Sequence, residues 1–99
     1  MVASFERKET ILTAKPEGRL DSVSSPEFLQ QILQELDGVT AVTSDLEKVD
    51  YVSSGGLRAL LRTQQEMEDR DGAMKVIHVS TPILKIFEIV GFLDVLTLE

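Results

Sequence analysis

The rhythm of apolar and polar positions changes several times along the chain, and each change marks an element. Across Glu9–Ala14 the residues Ile11, Leu12 and Thr13 are good strand formers. Lys15-Pro16-Glu17-Gly18 has the composition of a turn, and Arg19-Leu20 reads as a short second strand, so an opening hairpin is expected. Ser24 or Ser25 followed by Pro26 signals a helix start. Phe28, Ile32, Leu33 and Leu36 then recur at helical spacing, until Asp37-Gly38 ends the run. Thr40–Leu46 reads as a strand, and Val49–Val52 as a loop leading to Ser53-Ser54-Gly55-Gly56. Leu57, Leu60, Leu61, Gln64 and Met67 trace one face of a second helix that stops near Asp71-Gly72. Ala73–Val79 is a dense apolar strand of the kind buried in a sheet. Ser80 or Thr81 with Pro82 opens a third helix carrying Ile83, Ile86, Phe87 and Val90; Gly91 stops it, and Val95–Leu98 is a last short strand.

The order β-β-α-β-α-β-α-β predicts an α/β fold, a small sandwich with a mixed, mostly parallel sheet of about four or five strands and right-handed crossovers. A chain of 99 residues without an internal repeat or linker is read as one domain, residues 1–99. There is no cysteine, which removes disulfides, thiolate metal sites and a cysteine nucleophile. Seventeen acids against ten Lys and Arg give a net charge of −7. That balance disfavours nucleic acid and anionic membrane surfaces as partners. No apolar run approaches the roughly 20 residues of a transmembrane helix, so direct membrane insertion is not expected. The first residues lack the apolar core of a signal peptide, and a cytoplasmic protein is the expectation.

Catalytic signatures fail in turn. The chain contains neither a Gly-x-x-x-x-Gly-Lys-Ser/Thr loop nor Gly-x-Gly-x-x-Gly, and it calls for no cofactor. Val52-Ser53-Ser54-Gly55-Gly56 misses the nucleophile elbow, because Val52 stands at the first glycine's place. His78 is the single histidine and reads as a packed or half-exposed strand residue. With no cysteine and one histidine, a catalytic zinc site is not expected. Glu66, Glu68, Asp69 and Asp71 read as a solvated helix end. Phe92 and Leu93 read as core, with an exposed binding pair as the alternative.

Ser53-Ser54-Gly55-Gly56-Leu57 is the informative segment. One serine is accounted for as a helix cap, which contributes about 1 kcal/mol. Two glycines beside it are not, because each costs roughly 1 kcal/mol inside a helix relative to alanine. Glycines there suit close approach of another molecule to the backbone. A serine at such a start is also open to a kinase, and a phosphate on it would bring about −1.5 to −2 charge. The residues alone leave both readings open, the plain cap and the phosphorylatable serine.

The stretch from Thr43 to Leu61, with Asp45, Asp50-Tyr51-Val52-Ser53-Ser54-Gly55-Gly56-Leu57-Arg58 at its centre, resembles the core motif of the STAS domain. Gly18-Arg19-Leu20-Asp21 is similar to that family's earlier Gly-x-Leu/Ile-Asp signature, and the element order agrees with a STAS-type sandwich. The resemblance covers nearly the whole chain and is nearest to the stand-alone bacterial anti-sigma factor antagonists. It implies a regulator that is not an enzyme. The unphosphorylated form would bind an anti-sigma factor serine kinase and release the sigma factor. Phosphorylation of a helix-start serine would end that binding, and a serine phosphatase would reset it. The resemblance places the phosphoacceptor at Ser54, with Ser53 as the alternative, and gives partner contacts to Asp21, Asp45, Ser53, Gly55, Gly56 and Arg58. Ser53 stands where the best-known members carry Asp, and the Ser-Ser-x-Gly-Leu-Arg form resembles another common branch of the family. The competing expectation is a constitutive STAS interaction module, a transporter or signalling-complex subunit that is not phosphorylated. A nucleotide hydrolase is a third reading, and the missing phosphate loop weighs against it.

Overall fold

The computed structural model describes residues 2–93 and 95–99. Its elements run β1 (Ala3–Lys8), β2 (Ile11–Pro16), β3 (Gly18–Leu20), α1 (Ser25–Gln34), β4 (Ala41–Asp45), β5 (Val49–Val52), α2 (Ser54–Asp69), β6 (Ala73–Ile77) and α3 (Thr81–Ile89). The main sheet has strand order β1-β2-β4-β6. β1 and β2 are antiparallel; β2 with β4 and β4 with β6 are parallel. Strand alternation sends Leu12, Ala14, Val42, Ser44, Met74 and Val76 to one buried face. Phe28 and Ile32 of α1 and Leu57, Leu60 and Met67 of α2 close the same core. The α/β class and the mixed, mostly parallel sheet expected from the sequence are what the chain forms.

Three local expectations are corrected. The hairpin turn lies at Glu9-Thr10, with β1 as the partner of β2, and not at Lys15–Gly18. Glu9 makes that turn with φ 58, in the left-handed region, without the glycine that would have announced it. Val49–Val52 is a strand rather than a loop: β3 and β5 pair in parallel as a separate two-stranded sheet, Leu20 opposite Val52. Only Val49 and Val52 of β5 face inward, so its apolar pattern is two residues long. The expected last strand reduces to a single parallel bridge from Leu98 to Val76. Phe92 packs against the core, whereas Leu93 is exposed.

Candidate functional site

The β3–β5 pair carries the site. Ser53 N–H donates to the Leu20 carbonyl at 3.0 Å, so the chain leaves β5 locked against the end of β3. Ser53 is then the N-cap of α2 in extended conformation, and its hydroxyl oxygen accepts the Gly55 N–H at 3.2 Å. Ser54 is the first helical residue and is exposed; its hydroxyl has no hydrogen-bond partner among the described residues. One serine therefore holds the helix and its neighbour faces solvent.

The two glycines receive a different explanation from the one expected. A Cβ on Gly56 would lie 2.2 Å from the Leu20 carbonyl oxygen and 2.9 Å from Val52 Cγ1. A Cβ on Gly55 would lie 2.7 Å from the Ser22 Cα. The backbone that approaches them is the chain's own β3–α1 segment. Gly56 is buried in that packing.

Asp21 lies in that segment. Its carboxylate accepts the N–H groups of Val23 and Ser24 at 3.0 Å each, and Arg19 stands 3.7 Å away. The Ser24 and Val23 amides hold its carboxyl below the ordinary carboxylate value, with the Ser24 hydroxyl and Arg19 adding to them against a desolvation that pushes the other way. It ties down the approach to α1, whose N-cap Ser24 makes no side-chain capping bond of its own. The Arg19 guanidinium also lies 4.2 Å over the Tyr51 ring, so β3 and β5 are joined across their outer face as well. Arg58, one turn after Ser54, is exposed and has no ion-pair or hydrogen-bond partner among the described residues.

Asp45 is placed apart from this cluster. It ends β4, before the turn closed by Val49 N–H on the Leu46 carbonyl, whereas Ser53 follows the far end of β5. Its carboxylate accepts the Glu47 N–H at 3.0 Å and meets His78 Nδ1 at 2.9 Å. The β4–β6 register sets Asp45 opposite Ile77, which brings the following residue, His78, alongside. Burial pushes the Asp45 carboxyl up, but the Glu47 N–H, His78 and Lys15 outweigh it and hold it below 3.8. Asp45, Glu47 and His78 offer ligand atoms within 4.8 Å of one another. In this cluster the imidazole already serves as the carboxylate's partner. The acids at the end of α2 include Glu66, paired with Arg62 at 3.1 Å and Arg70 at 2.9 Å, as a solvated helix face requires.

The sequence reading missed Ser22, Ser25 and the Arg19–Tyr51 contact. Ser22 and Ser25, with Pro26, Leu29, Gly55, Arg58, Ala59 and Arg62, line a groove of about 390 Å³ between α1 and α2 beside Ser54. The serine-rich run from Ser22 to Ser25 was the available signal, and it reads as capping alone until α2 is packed against it. Among the described residues no helix is long and apolar enough to cross a membrane.

A mixed sheet of order β1-β2-β4-β6, a separate β3–β5 pair and three helices define a class of small α/β domains. The STAS domain profile matches residues 3–99, and the chain belongs to the STAS domain family. It is 32% identical over 81 residues to the anti-sigma-B factor antagonist of Staphylococcus aureus, covering 80% of this chain and 74% of that protein. It is 26% identical over 96 residues to a Bordetella bronchiseptica protein provisionally named anti-sigma factor antagonist BtrV, covering 96% of this chain and 83% of that one. These names are those of regulators, not of enzymes. The fold is also that of the Bacillus cell fate determinant SpoIIAA in its phosphorylated form, with a TM-score of 0.76 at 18% identity, covering 99% of this chain and 91% of that chain.

Proposed function

We propose that this chain is an anti-sigma factor antagonist that works by partner switching. The unphosphorylated form binds an anti-sigma factor that is also a serine kinase, and phosphorylation of Ser54 ends the binding. The names of the Staphylococcus and Bordetella relatives support the first half of this reading. The observation that carries the second half is the division of labour between the two serines: Ser53 is spent on capping, whereas the Ser54 hydroxyl is exposed and unpartnered.

The chemistry of the site suits a phosphate that the fold tolerates and a partner rejects. A phosphate on Ser54 would stand at the positive end of the α2 dipole and at i,i+4 from the unpaired Arg58. The capping bond of Ser53 would remain, so α2 keeps its start. A partner packed over Ser54 would have to bury that charge, at a cost of several kcal/mol where no donors meet it. Each 1.4 kcal/mol is a tenfold loss of affinity.

The test is intact-mass spectrometry with peptide mapping of the protein taken from its native cells with phosphatases inhibited. The expected result is a single phosphate on Ser54, absent from Ser54→Ala. A phosphate on Ser53 would move the acceptor by one residue and keep the switch. No phosphate under any growth condition would refute the switch and leave a constitutive interaction module.

A further inference from the structure

Two loops leave the same end of the main sheet and meet over Asp45. β4 and β6 are parallel neighbours, so the segments that follow them, with Glu47 and His78, emerge side by side at their carboxyl ends. The Leu46 N–H donates to the Ile77 carbonyl at 3.0 Å and fixes that juxtaposition. His78 turns away from β6 in the left-handed backbone region, φ 56, which histidine enters more readily than most residues. Its imidazole lies against the buried Asp45 carboxylate, and the exposed Glu47 carboxylate stands beside it. The carboxyl ends of parallel strands are where α/β sheets generally place ligands.

The three side chains have the spacing of a coordination shell. His78 Nδ1 is 2.9 Å from Asp45 Oδ1 and 3.5 Å from Glu47 Oε2. Ligand atoms at about 2.0–2.2 Å from a zinc ion lie roughly 3.0–3.5 Å from one another across an octahedral or tetrahedral edge. The Asp45 oxygen is already fixed by the Glu47 N–H at 3.0 Å, and the two exposed ligands leave the remaining positions to water. An imidazole nitrogen with two carboxylate oxygens suits a first-row transition metal rather than Mg²⁺, which favours oxygen ligands and keeps several waters. The neighbouring cations stay outside the cluster. Lys15 acts on Asp45 but pairs with Glu6 at 3.9 Å, and Lys48 shares the adjoining hollow with Glu17.

We infer that Asp45, Glu47 and His78 form a binding site for a divalent first-row transition metal, with Zn²⁺ as its representative. The ion replaces the contact between His78 and Asp45. Nδ1 gives its lone pair to the metal, any proton on Nδ1 leaves to solvent, and Nε2 carries the ring N–H. No electron is transferred. Held by both loops, the ion ties the β4–β5 connection to the β6–α3 connection, a structural role that is independent of whether Ser54 is phosphorylated. The chain has one histidine and no cysteine, so an imidazole signal in a metal titration belongs to His78 alone.

Zn²⁺ titrated into the tag-free, chelator-treated full chain, with the imidazole nitrogen resonances of His78 followed by NMR, tests it. The expected result is a saturable one-to-one shift with Nδ1 as the liganded nitrogen, and no such shift with Mg²⁺. His78→Asn keeps a residue that accepts the left-handed backbone, and its Zn²⁺ affinity by calorimetry should fall at least about tenfold. Glu47→Gln, at an exposed position, should weaken binding by a similar factor while the amide spectrum of the fold is retained. Glu66→Gln alters an acid held by Arg62 and Arg70 and should leave the affinity as it is. Absence of a saturable His78 shift would overturn the site. So would liganding through Nε2, which puts the ion outside the cluster, or Zn²⁺ binding of equal strength in His78→Asn, which assigns it to surface carboxylates elsewhere.

Discussion

Gly56→Ala separates the two explanations of the glycine pair. If the glycine served an outside molecule, alanine would raise stability by about 1 kcal/mol through helix propensity. In this structure the new Cβ meets the Leu20 carbonyl oxygen at 2.2 Å and Val52 Cγ1 at 2.9 Å. Ordinary contact begins near 3.4 Å, so β3 has to retreat by about 1.2 Å. The Leu20 carbonyl is also the acceptor of the Ser53 N–H, and that bond of 3.0 Å stretches with the retreat. Overpacking costs about 1–3 kcal/mol and the bond about 1 kcal/mol. After the propensity gain, a net loss of about 2 kcal/mol is expected. Urea unfolding at neutral pH measures it as a lower midpoint at an unchanged slope. A Gly56→Ala protein as stable as the parent, or more so, would show that β3 does not press on the start of α2.

Two further outcomes follow from the same contacts. Ser53→Ala removes the cap at the α2 start, and urea unfolding should show a loss of about 1 kcal/mol, with Ser53→Asp recovering most of it. Asp45, whose carboxyl is held below 3.8 in the folded protein, stabilises the fold fully above the unfolded-state value. That contribution is lost as the pH falls through the lowered folded-state value, so the urea midpoint should drop on the acid side, below the ordinary carboxylate range. Asp45→Asn should reduce the size of this acid-side drop, and an identical profile would disconnect Asp45 from it.

Helices were legible in the sequence because each carries its own signal. Phe28 and Ile32 in α1, Leu57, Leu60 and Met67 in α2, and Ile83 and Phe87 in α3 repeat at helical spacing, and all are buried. β6 was legible as a dense apolar run. β1 was not, because only Ala3 and Phe5 turn inward from Ala3–Lys8, at the sheet edge, with Phe5 stacked on Phe28 at 6.3 Å. β5 has two inward residues and takes its strand character from β3, far earlier in the chain. The site divides the same way. Ser53 as a cap is a local property and was readable. The reason for Gly55 and Gly56 lies in Leu20 and Ser22, and no local pattern can report a contact between distant segments. Asp21 and Asp45 look alike in sequence, each ending a strand, yet one ties the approach to α1 and the other pairs with His78 across the β4–β6 register.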